Sequence, residues 1–278
     1  MDYHRAIVRD ALVFFNDLVR FMTWVDPMQT NLILFFSTLL TLGLAAMTPA
    51  QAEVYELRIY TTNEGKLDNL NARFRDHTIR LFDKHGMESM GYWVPTDGNE
   101  AKNTLIYVLK HQSRDAAKES WKAFIQDPEW MKVAKESQVD GQILAKAPES
   151  IFMDAADYSP EWKNGDADDD DVFELRIYQA TEGKLEKLDA RFRDHTMRLF
   201  EKHGMRNVAY WHPADEPQSK DHLIYIIKHK SRDAAKASWA AFGQDPEWQK
   251  AARESGVGRL AKPPEATYMK ATDYSAIK

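Results

Sequence analysis

Residues Val54–Tyr60 read VYELRIY, and 118 positions later Val172–Tyr178 read VFELRIY. The register runs without a gap from Val54–Glu136 to Val172–Glu254, with roughly 53 of 83 positions identical. A two-residue deletion follows, after which LAKAPE at Leu144–Glu149 matches LAKPPE at Leu260–Glu265. Two copies of about 100 residues are a tandem duplication; a solenoid needs shorter and more numerous units. Within the first heptapeptide, period-two alternation places Tyr55, Leu57 and Ile59 on one face of a strand and Glu56, Arg58 and Tyr60 on the other.

Each copy continues in the order strand, helix, strand, strand, helix, strand. Leu67, Leu70, Phe74 and Leu81 fall at helical spacing and predict a helix over about Lys66–His85, stopped by Gly86. Strands are expected at about Glu88–Val94 and Thr104–His111, joined by the turn-rich Pro95–Asn99. A second helix starts after Ser113, an N-cap residue, and Asp127-Pro128 caps a further segment with proline at its first position. The last strand is about Ser150–Ala155. This βαββαβ order is the ferredoxin-like unit, an antiparallel sheet with both helices on one face. The expected fold class is therefore α+β: two tandem ferredoxin-like repeats packing their open sheet faces together as an intramolecular dimeric α/β barrel. If the aliphatic face of the first strand meets the helices, Glu56, Arg58 and Tyr60 look into that barrel. The repeats span 53–158 and 172–278, separated by 159–171, whose acidic run Asp168–Asp171 reads as a solvated linker.

The first 52 residues stand apart. Leu32–Ala46 is an uncharged, largely apolar stretch followed by Ala50-Gln51-Ala52, the pattern of a secretory signal peptide cleaved after Ala52. An uncleaved membrane anchor is the alternative, although the run falls short of the ~20 residues of a spanning helix. The preceding region is long and carries four aspartates beside three arginines, unlike a short basic n-region; a start at Met28 would restore one. The expected location is periplasmic or secreted, with membrane contact only if this segment is retained. The chain as a whole has 278 residues, 29% charged and 12% aromatic, a formal net charge of -6 and no cysteine. That excludes disulfides, thiol nucleophiles and iron–sulfur clusters, and the acidic balance argues against a nucleic-acid partner.

YELRIY, the Gly-Lys-Leu helix start, Gly91-Tyr-Trp93, Leu105-Ile-Tyr107 and Asp127-Pro-Glu-Trp130 together resemble the NIPSNAP domain. The second copy repeats them as FELRIY, Ala209-Tyr-Trp211, Leu223-Ile-Tyr225 and Asp245-Pro-Glu-Trp248. The resemblance implies the dimeric α/β-barrel superfamily, whose members include cofactor-free monooxygenases, isomerases and haem-binding enzymes. It does not choose a reaction. Better-known members are mitochondrial and tied to trafficking or mitophagy, which an export signal does not match.

Three residue sets are candidates for chemistry. Glu56, Arg58 and Tyr60, with Glu174, Arg176 and Tyr178 in the second copy, form either a structural ion pair locking the two sheets or a polar pocket floor in which arginine binds an anionic or carbonyl group. Trp93 and Trp211 are core residues or the flat wall of a ligand pocket. His77 continues the apolar stripe Leu67, Leu70, Phe74 and Leu81, and His195 repeats it; each is a satisfied core histidine, a general base or a haem ligand. Haem is the one cofactor considered. No metal-binding motif appears, and His85 and His203 end their helices where a cation suits the dipole. The expected function is a small-molecule or protein-binding barrel module, with a monooxygenase or isomerase using the barrel interior as the alternative; self-association is left open.

Overall fold

The computed structural model describes residues 52–165, 168 and 170–277; the apolar N-terminal segment lies outside them. Each repeat forms the expected elements. In the first, β1 (Val54–Thr61), β2 (Glu88–Pro95), β3 (Thr104–His111) and β4 (Glu149–Ala155) alternate with α1 (67–84), α2 (Arg114–Gln126) and α3 (Pro128–Glu136). In the second, the counterparts are β5 (Val172–Gln179), β6 (Arg206–Pro213), β7 (His222–His229) and β8 (Glu265–Ala271), with α4 (185–202), α5 (Arg232–Gln244) and α6 (Pro246–Glu254). The caps read from sequence are in place: Ser113 Oγ accepts from Ala116 N at 3.0 Å, and Asp127 Oδ1 accepts from Glu129 N at 2.8 Å. Gly86 closes α1 at φ 73°, a conformation that costs a side chain dearly.

All eight strands pair antiparallel into one closed barrel in the order β1-β3-β2-β8-β5-β7-β6-β4. The two seams are exchanges: β8 pairs with β2 (Trp93 opposite Ala271), and β4 pairs with β6 (Ala155 opposite Trp211). Each repeat thus supplies the edge that the other lacks.

The barrel interior is apolar. Leu57, Trp93, Ile106, Val108 and Met153 meet Phe173, Leu175, Trp211, Ile224 and Met269 in one buried cluster, with Tyr55, Ile59 and Ile177 against it. The helices cover the outer faces over two further clusters, one per repeat, rich in aromatic rings that meet mostly edge-on or tilted. This corrects the orientation expected for β1 and β5. Their aliphatic faces look into the barrel, and Glu56, Arg58 and Tyr60 lie beneath the helices. The reason is hydrogen-bond supply: an apolar barrel offers a buried carboxylate nothing, whereas the helix layer brings an indole N–H and an imidazole to it.

The segment 159–171 also departs from a purely solvated linker. Trp162 sits 6.3 Å from Trp93 and 6.4 Å from Trp211 (ring centroids), packed against the barrel core. Asp171 is buried against Lys228 at 2.7 Å.

Candidate functional site

The most elaborate polar arrangement in each repeat is built on the glutamate of the ELRIY strand. Glu56 is 1% exposed. Its Oε1 accepts from Arg58 Nη1 and Ser150 Oγ, both at 2.6 Å. Its Oε2 accepts from Trp121 Nε1 at 2.7 Å and from His111 Nε2 at 3.0 Å. Pairing sets this up: in the antiparallel β1–β3 ladder Val54 faces His111 and Glu56 faces Leu109, so His111 shares Glu56's side of the sheet, two positions along. Ser150 comes from β4, opposite Arg58. Burial pushes the Glu56 carboxyl up, but the hydrogen bond from His111, the Arg58 charge and the Ser150 hydroxyl outweigh it and hold the pKa at about 2. The Arg58 guanidinium lies over the Trp121 ring at 4.2 Å and reaches Tyr60 Oη at 3.3 Å.

The second repeat copies the cluster. Glu174 accepts from Arg176, from His229 Nε2 at 2.8 Å and from Trp239 Nε1 at 2.8 Å, and Arg176 lies 4.4 Å from the Trp239 ring. Ala266 stands where Ser150 does, opposite the arginine, so that hydroxyl is missing. In both repeats each carboxylate oxygen is engaged, with two donors on each oxygen of Glu56 and with two on Oε2 and one on Oε1 of Glu174. The pair ties β1 to β3, β4 and α2 of its own repeat, and does not bridge one sheet to the other.

Three partners of Glu56 escaped the sequence reading: His111, Ser150 and Trp121. His111 had a signal, since it lies at even spacing from Leu105, Tyr107 and Leu109. Trp121 had none, because only helix docking aims its indole at β1.

The histidines on α1 and α4 are not core residues. Phe74–Thr78 and Phe192–Thr196 are π-helical turns within otherwise α-helical segments. A π turn takes one residue more than an α turn, and here Thr78 and Thr196 point inward, each hydroxyl donating to the carbonyl five residues back (Arg73, 3.0 Å; Arg191, 3.1 Å). His77 is left half-buried on the flank and His195 exposed. His85 and His203 instead bond the cap aspartates, Asp127 at 2.8 Å and Asp245 at 2.7 Å.

A family model described as NIPSNAP matches residues 55–160 and 173–276. The chain belongs to the NIPSNAP family. No curated protein matches it. Among solved structures, a candidate monooxygenase from Fusobacterium nucleatum is 12% identical, with 82% of this chain and 95% of that one covered at a TM-score of 0.54. A candidate monooxygenase from Lactobacillus acidophilus is also 12% identical, covering 82% and 97% at 0.52. An anthrone oxidase-like protein is 15% identical, covering 82% and 95% at 0.52. At such identities the likeness is one of fold.

In this NIPSNAP protein the sequence candidates separate into three places. Glu56, Arg58 and Tyr60 lie under the helices. Trp93 and Trp211 lie inside the barrel, on the opposite side of the sheet, and β3 separates β1 from the strand carrying Trp93. His77 lies at the rim of a surface groove of about 240 Å³, lined also by Arg73, Asp76, Glu136 and Ser137. That groove is smaller than the ~300–1,000 Å³ typical of drug-sized ligands and carries two carboxylates, so it does not fit a haem on His77. Among the described residues no group of three or more His, Asp or Glu is placed to hold a metal ion.

Proposed function

We propose that this NIPSNAP protein is a binding module, exported from the cytoplasm, that holds a small molecule or a protein partner without turning it over. One observation carries this reading: the barrel interior is filled by the protein's own side chains, with Trp93, Phe173 and Trp211 each no more than 1% exposed. A substrate entering there would have to displace two tryptophans from a cluster of apolar side chains. The charged residues of β1 and β5 are spent on one another, which suits a rigid scaffold better than an active site awaiting a substrate. Export rests on the Leu32–Ala46 run and the Ala50-Gln51-Ala52 site.

The alternative is oxidation or isomerisation within the barrel, which the names of the structural neighbours suggest. Native mass spectrometry of the purified protein, followed by incubation of any retained compound with fresh protein in air, separates the two. A bound compound recovered unchanged supports the module. A compound returned with an added oxygen atom, or rearranged, overturns it.

A further inference from the structure

Arg73 is 7% exposed, yet no carboxylate lies within salt-bridge distance of it among the described residues. Its guanidinium rests 5.3 Å from the Trp130 ring centroid, and Nη1 makes one long bond, 3.4 Å, to Ser137 Oγ. Nε is buried without a partner. A buried guanidinium with no anion is costly, and burial accordingly pulls its pKa down. Arg73 is also at the wall of the groove between the π turn of α1 and α3. His77 stands beside it and makes no side-chain hydrogen bond among the described residues. Ala72 and Val133 give the groove an apolar wall, and Asp76 and Glu136 give it two negative charges. Glu136 has only a distant partner, Lys132 at 3.9 Å, and Asp76 forms no salt bridge among the described residues.

We propose that this groove binds a small zwitterion, an α-amino acid in chemical class. The carboxylate completes Arg73, flanked by His77; the ammonium faces Asp76 and Glu136; a short side chain lies on Ala72 and Val133. A simple anion meets two like charges in the same space, and a simple cation leaves Arg73 unpaired. The inference rests on the reading of the protein as a binding module and names a ligand class for it.

The second repeat explains why the site belongs to the first. Arg191 is 8% exposed and lies 5.1 Å from the Trp248 ring, also with Nε unpartnered. There, however, Lys187 replaces Asn69, and its chain crosses to Gly256, where a Cβ would stand 3.3 Å from Nζ. A lysine laid from α4 to the end of α6 roofs the equivalent groove.

Calorimetric titration of the full chain with glycine and L-alanine, against acetate and inorganic phosphate, tests this. Saturable 1:1 binding of the amino acids is expected, with acetate and phosphate about tenfold weaker or worse. Arg73→Gln and Asn69→Lys should each lower alanine affinity at least about tenfold. Asn69 is exposed, so its variant folds even if Arg73→Gln does not. No saturable amino-acid binding, tighter binding of phosphate, or unchanged affinity in Asn69→Lys overturns the proposal. A retained compound in native mass spectra that survives both substitutions overturns the groove and leaves the module; conversion of a bound compound overturns the module and leaves the groove.

Discussion

Glu56 and Glu174 are the residues on which each repeat's polar packing turns. Glu56→Gln removes the charge that Arg58 answers and leaves a guanidinium stranded beneath α2. The expected cost is roughly 3 kcal/mol, read from the denaturant midpoint, because breaking one side of a buried pair exposes the other's desolvation. The pH dependence has a definite sign. Folding holds the Glu56 pKa at about 2, below its ordinary value of 4.5, so its contribution is complete above about pH 5 and drains away as pH falls towards 2. Wild type should therefore lose stability more steeply than Glu56→Gln over that window. Equal slopes would show that other carboxylates carry the acid sensitivity. Gly91 illustrates the opposite kind of residue, defined by what it lacks. A Cβ there would meet Trp93 ring carbons at 2.4 and 2.6 Å, so the glycine in Gly91-Tyr-Trp93 is a seat for the tryptophan; its counterpart Ala209 shows that the second repeat packs Trp211 differently.

At the scale of elements, local chemistry fixes the helix ends but leaves helix rotation to tertiary packing. Ser113, Asp127 and Gly86 announce where helices begin and end through groups that must be bonded at those points, and the structure uses each. Ser113→Ala and Ser231→Ala should each cost about 1 kcal/mol in thermal or chemical unfolding, since each hydroxyl answers an otherwise orphaned amide. Two equal losses would show that the duplicated caps do equal work; a loss below the error of measurement in both would show that water replaces them. The placement of His77 was legible only in part. Its 3, 4, 3 and 4 spacing suits a regular α-helix, but Phe74–Thr78 winds as a π turn and Thr78 takes the inward place. Nothing in Phe-Arg-Asp-His-Thr marks a π turn by itself; it follows from seating Phe74, Leu81 and Phe82 on the same sheet. That turn, with α3 alongside, forms the groove containing Arg73.

For the whole molecule, the seams decide what is stable. β2–β8 and β4–β6 each join one repeat to the other, and surface pairs reinforce them: Arg75–Asp273, Arg193–Asp157, Arg114–Asp215 and Arg232–Asp97 all cross between repeats. Exposed pairs contribute up to ~1 kcal/mol each, so the burial of Trp93, Phe173 and Trp211 holds the halves together. A fragment of residues 53–158 alone should either dimerise through its open sheet or precipitate, as light scattering after chromatography would report. A folded monomer would contradict the barrel core as the main source of stability. The sequence by itself determined the repeat, the strand and helix order, the caps and the α+β barrel class, because these depend on periodicity and local bonding that any chain with this pattern must satisfy. Tertiary structure alone decided which face of β1 looks inward, which indole and imidazole meet Glu56, and that Arg73 is buried without an anion. Those outcomes depend on where the strands and helices of both repeats place hydrogen-bond donors in three dimensions, and alternation along one strand is blind to that.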